Sequence, residues 1–172
     1  ASKFIFIWLL SITSLVAVFP ASGQSGLTFD VTRDAGTNTY HAISRTTSSS
    51  YTGSLKFVGE SAATELNGLG GGSILFSGGD FDFGTEYFKF RHIANITFAG
   101  QGIDVTILRN WTDADDDTEP FNCTFCDRLT IRDMTVSAGG TVHTTSDALD
   151  FDSGNDNLIE RVKVTNSRGR AI

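Results

Sequence analysis

Proline is nearly missing from this chain, with 2 in 172 residues, and so are cysteine with 2, histidine with 3 and methionine with 1. Basic residues are also scarce: 13 Lys and Arg face 20 Asp and Glu, a formal charge of −7. A protein that grips phosphates needs a basic stripe, so this balance excludes nucleic acid as a partner. The two cysteines, Cys123 and Cys126, lie in "FNCTFCDRL". On an extended segment residues i and i+3 point to opposite faces, which argues against a bridge between them. A redox Cys-x-x-Cys motif wants a helix N-terminus, and none is evident there; both are read as packing residues. Helical periodicity is scarce too, with "ESAATELNGL" (60–69) the single convincing short helix, ending at Gly70-Gly71-Gly72.

What the chain has in quantity is glycine, with 18, and phenylalanine, with 14. With 40% hydrophobic residues this excludes disorder and points to a strand-rich globular protein with many tight turns. The first residues differ from the rest. Lys3 precedes the apolar run Phe4 to Phe19, and Pro20-Ala21-Ser22-Gly23 follows. A basic tip, an apolar core and a small-residue region make residues 1–23 a secretory signal peptide; a membrane anchor is the alternative. The protein is therefore expected to be extracellular or periplasmic, off the membrane after cleavage, and monomeric.

Residues 24–59 form a lead-in without strong periodicity, including the loop-like "RTTSSSYTGS" (45–54). After the glycine break, short β-rich runs recur: "SILF", "YFKF", "NITFAG", "VTILRN", "LTIRDMTV", "ALDF" and "NLIERVKV". Ile74 to Ile96 spans 22 residues, Ile107 to Ile131 spans 24 and Ile131 to Ile159 spans 28. Strand repeats with periods in the twenties mean a solenoid. The 28-residue shift sets Ile131 on Ile159, Met134 on Val162 and Val136 on Val164. It also lays Arg132 over Glu160 and Asp133 over Arg161, opposite charges on neighbouring strands. The fold class expected is all-β, a single parallel β-helix domain over residues 60–172. The helix at 60–69 caps one end, and the chain looks truncated at Ile172, with further turns to follow.

Residues 60–172 resemble the secreted right-handed parallel β-helix proteins of the pectin lyase-like superfamily. "GGGSILFSGGDFDFG" resembles a first turn of that family, "IANITFAGQGIDVTIL" a second, and "DALDFDSGNDNLIERVKVTNSRGRAI" its generic repeat. The resemblance implies a polysaccharide partner and a lyase or glycoside hydrolase acting on a polyuronate or related glycan. The superfamily also includes non-catalytic spikes and adhesins, so a carbohydrate-binding surface protein is the alternative.

Candidate chemistry gathers near the end of the chain. With Leu149 and Phe151 inward, Asp150 and Asp152 share an outward face and Asp147 stands at the strand entrance. Paired carboxylates can serve as general acid and base on a glycosidic bond, which makes Asp147 and Asp150 the catalytic candidates. Oxygen ligands suit Ca²⁺, and Asp152 is the candidate for it. Asp147 and Asp150 match the two aspartates of the polygalacturonase N-T-D-G-I-D stretch, whereas Ser146 and Ala148 depart from it. Arg168-Gly169-Arg170 stands where that family has an Asp pair, which argues against a polygalacturonase. Arg168 and Arg170 are candidates for holding a substrate carboxylate or abstracting a proton, and His143 for a proton carrier near Asp147. "DADDDTE" (113–119) reads as a solvated loop insertion lacking EF-hand spacing. Asn95, Asn110 and Asn122 open glycosylation sequons.

Overall fold

The computed structural model describes residues 26–110, 119–138, 147–167 and 169. The predicted signal peptide, most of the acidic run, His143, Arg168 and Arg170 lie outside them. The described residues are mainly β, with one helix, and most strand pairs are parallel.

Three strands precede the helix, β1 (Thr28–Arg33), β2 (Tyr40–Ser44) and β3 (Ser50–Gly53), in a segment whose weak patterning suggests only a lead-in and a loop. β1 and β2 form an antiparallel hairpin that β3 extends, and the other edge of β1 pairs in parallel with β4 (Gly72–Phe76). Helix α1 runs Leu55–Gly68, starting five residues before the expected 60–69. Ser54 caps it by accepting the Phe57 N–H at 3.3 Å. Leu55, Val58, Ala62, Ala63 and Leu66 make one buried stripe at helical spacing. α1 lies against the aromatic core so closely that a Cβ on Gly59 would stand 2.3 Å from the Phe88 ring. Glu65 ties helix to hairpin, its carboxylate accepting from the hydroxyls of Thr47, Ser49 and Tyr51 at 2.7–3.0 Å.

Beyond α1 the strands come in tiers. The first tier is β4, β5 (Gly79–Asp82) and β6 (Phe88–Arg91). The second is β7 (Ile96–Ala99), β8 (Thr106–Arg109) and β9 (Phe121–Thr124). In the third, β10 (Thr130–Ser137) bends in its middle to serve two faces, and β11 (Leu149–Asp152) serves the third. β12 (Leu158–Thr165) lies along the whole of β10. Pairing between tiers is parallel and gives two sheets. The larger has nine strands, with order β3-β2-β1-β4-β7-β10-β8-β5 and β12 beside β10; the smaller has the order β11-β9-β6. This arrangement is compatible with a β-helix.

The register explains the core, because inward residues stack row upon row. Phe29, Ile74, Phe98, Ile131 and Ile159 form one row. Phe81, Leu108, Val136 and Val164 form a second. Phe88, Phe121 and Leu149 form a third, beside Phe90, Cys123 and Phe151. Phe88 is the hub, with the rings of Phe76, Phe83, Phe90, Phe98 and Phe121 all 4.6–6.5 Å from its own. Each such buried ring stabilises the fold by roughly 1.5–3 kcal/mol in area terms.

The 28-residue register holds: Ile131 pairs with Ile159, Met134 with Val162, Val136 with Val164 and Arg132 with Glu160. Asp133 and Arg161 form the expected ion pair, Nε to Oδ1 at 2.5 Å. Both sit in left-handed backbone, φ 57 and 50, which bends β10 and β12 from one face to the next. The shorter spacings differ. Ile74 pairs with Phe98 and Ile107 with Thr135, because the corner held by Asp133 alone in the third tier takes the whole loop 100–105 in the second.

Candidate functional site

The small sheet carries the candidate carboxylates. Leu149 is buried and Phe151 packs against the core, so alternation turns Asp150 and Asp152 outward on one face as expected. Asp147 stands two residues before β11, half-buried, next to the fully buried Ala148. The structure thus brings Asp147, Asp150 and Asp152 to one strand and its entrance.

Register adds residues that the sequence reading did not single out. Asp150 is opposite Asn122 on β9, which is opposite Lys89 on β6. Asp152 is likewise opposite Thr124, and Thr124 opposite Arg91. The outer face therefore runs from two cations through two neutral hydrogen-bonding side chains to two acids, over two strand spacings of about 4.8 Å each. Asn122 Nδ2 donates to Asp150 Oδ2 at 2.9 Å, fixing that carboxylate on the sheet. Lys89 and Arg91 are exposed and make no ion pair with another described residue. Asn122 could have been found by the 28-residue shift that aligns β10 with β12, since the same shift carries it onto Asp150. Lys89 and Arg91 could not, because the loop before β9 makes their step to Asn122 and Thr124 33 residues.

At the turn leaving the sheet, the rings of His92 and Phe125 stack at 5.2 Å and 4°, with Phe125 52% exposed. This places an aromatic surface beside Arg91 and Thr124. The same corner repeats in each tier: His92 and Asn95, Phe125 and Arg128, and Ser153 and Asp156 all have φ between 53 and 60. Amide side chains stitch the corners together; Asn157, for example, accepts the Leu129 N–H and donates to the Cys126 carbonyl, both at 2.9 Å.

Other candidates separate from this face. Asp152 Oδ1 accepts from Ser153 Oγ at 3.1 Å, and among the described residues no three His, Cys, Asp or Glu side chains gather to hold a metal ion. His143, Arg168 and Arg170 lie outside the described residues. Of the sequons, Asn110 is buried, with Nδ2 donating to the Glu86 carbonyl at 3.1 Å, so it offers no accessible amide. Cys123 and Cys126 are free and buried, as packing residues should be. They do not face apart, however: Phe125, at φ 55, turns the chain and brings Cys126 inward again.

No protein-family model matches the chain, and neither a curated protein nor a solved structure is significantly similar to it.

Proposed function

We propose that the protein is a secreted right-handed parallel β-helix whose β6-β9-β11 face binds and cleaves an acidic polysaccharide, a polyuronate or related glycan. The handedness follows from the strong right-handed preference of parallel crossover connections. The observation that carries the functional reading is the charge order across the face, with Lys89 and Arg91 at one edge and Asp150 and Asp152 at the other. Guanidinium and ammonium groups bind a sugar carboxylate, while the aspartates reach the neighbouring glycosidic bond. Asp150 is the central acid/base group with Asp147 as its partner, and Asp152 binds substrate hydroxyls. Along β11 the Cα atoms of Asp150 and Asp152 are about 6.6 Å apart, so a sugar unit bridges them without crowding.

A non-catalytic carbohydrate-binding surface protein is the second reading. The Asn122–Asp150 hydrogen bond favours it, since a purely structural ladder would hold the carboxylate in the same way. Incubation with polyuronates and neutral glycans, following reducing ends and the ultraviolet absorbance of unsaturated products, decides between them. Turnover that Asp150→Asn abolishes supports catalysis. Binding without turnover in the wild type supports the second reading, and neither binding nor turnover overturns both.

A further inference from the structure

Cys123 and Cys126 are the two cysteines of the chain, and their solvent exposure is 1% and 0%. Cys123 points inward from β9, in register with Phe90 and Phe151. Thr124 continues the strand, Phe125 takes φ 55, and Cys126 then faces the core with Sγ 3.9 Å from the Phe90 carbonyl and 3.8 Å from that of Thr124. An extended residue followed by a left-handed one is the pattern of a type II turn, whose first and fourth Cα atoms lie within about 7 Å. A disulfide spans Cα atoms about 4.4–6.8 Å apart, so the turn holds the pair at bridging range. The neighbouring Cys126 and burial push the Cys123 thiol far above its ordinary range, while the neighbouring Cys123 lowers Cys126. Backbone packing fixes the turn from the next tier: a Cβ on Gly154 would lie 2.0 Å from the Cys126 carbonyl oxygen.

We propose that Cys123 and Cys126 close an intramolecular disulfide across this turn when the protein meets a low-molecular-weight disulfide such as oxidised glutathione. While the turn forms and Cys126 is still open to solvent, its thiolate attacks one glutathione sulfur, forming a mixed disulfide and releasing one glutathione thiolate. Cys123 then gives up its proton and attacks Cys126 Sγ, forming the protein S–S bond and expelling the second glutathione. Two protein thiols are oxidised and one glutathione disulfide is reduced to two thiols. The ring closed spans four residues, so it restricts the unfolded chain little. Its effect is local: it pins Phe125, which lies between the bridged residues and presents its ring beside the candidate face.

The test treats the protein with oxidised glutathione both folded and during refolding from the reduced, denatured state. Alkylation with iodoacetamide under denaturing conditions and mass spectrometry follow. A monomer lighter by two hydrogens, with no alkylated cysteine until a reductant is added, is the expected result. Cys123→Ser and Cys126→Ser should each instead leave one sulfur that ends alkylated or carrying glutathione. Two alkylated cysteines in the wild type after both treatments overturn the proposal, as does oxidation that yields only cross-linked dimers or a lasting glutathione adduct.

Discussion

The outer faces of the two sheets treat charge in opposite ways. On the large sheet, cations and acids are joined on the spot. Arg161 clamps Asp133 and also reaches Glu160, Lys163 reaches Asp104, Arg109 reaches Asp80, and Arg45 holds Asp30 with two bonds of 2.6 Å. On the small sheet, Lys89 and Arg91 are kept two strands from Asp150 and Asp152, with Asn122 and Thr124 between them. The paired charges of the large sheet spend their hydrogen-bonding capacity on the fold, whereas Lys89 and Arg91 keep theirs turned to solvent. Adjacent sheets of one β-rich fold thus distribute charge in two different ways.

The variants that probe this contrast differ widely in expected size. Replacing Asp150 by Asn keeps the shape of the face and removes its central carboxylate. Catalytic turnover should fall by about 10²–10⁴, the range for a lost general acid or base, with an unchanged melting temperature; a loss of under tenfold in steady-state kinetics would remove Asp150 from the chemistry. Phe88→Ala strikes the core that both sheets share. It should cost about 3–5 kcal/mol in denaturant unfolding, and a cost under 1 kcal/mol would mean that Phe88 is not the hub of the aromatic cluster.

Glu65→Gln weakens the tie between α1 and the hairpin, and about 1–2 kcal/mol should be lost with its charge-assisted hydrogen bonds. Tyr51 and the two hydroxyls hold the Glu65 carboxyl below its ordinary value. A group lowered in the folded state contributes stability that is present above its unfolded pKa and lost as pH falls through the folded one. The wild type should therefore lose this increment below the usual glutamate range, near 4.5, and the Gln variant should show a shallower acid limb.

Asp133→Asn is the structural counterpart of Asp150→Asn. Asparagine accepts the left-handed φ at this position, so what is lost is the charge that Arg161 holds. A change of about 0.2–1 kcal/mol is expected, with unaltered turnover; a large loss of activity would erase the distinction between the faces. Lys89→Gln with Arg91→Gln should raise KM for a polyuronate about five- to tenfold, the worth of one or two partly screened charges, and leave KM for a neutral glycan unchanged.

The parallel, strand-rich character was legible because apolar residues alternate from Ser73 onward, and the β10–β12 register because opposite charges and apolar residues agreed on one shift. The other registers were not. Spacings between isoleucines assume corners of equal length, and the corner before β8 is longer than the one at Asp133. The start of α1 was hidden because Leu55 and Val58 follow a run of Ser and Thr, and only the Ser54 cap separates helix from strand there. The carboxylates of β11 were readable as one face from alternation alone. Lys89 and Arg91 were not, since their place beside that face depends on pairing across loops of unequal length.

The repeated corners carry a consequence for how this sequence can vary. His92, Phe125 and Ser153 at one corner position, and Asn95, Arg128 and Asp156 at the other, all hold left-handed backbone. Side-chain chemistry differs widely within each set, yet none is β-branched, the class that suffers most in that conformation. A saturation scan of viable variants should therefore show two thin columns in which Val, Ile and Thr are depleted while charge, polarity and size drift freely. Those columns would recur at intervals of 33 and then 28 residues, a rhythm set by backbone geometry and indifferent to hydrophobicity.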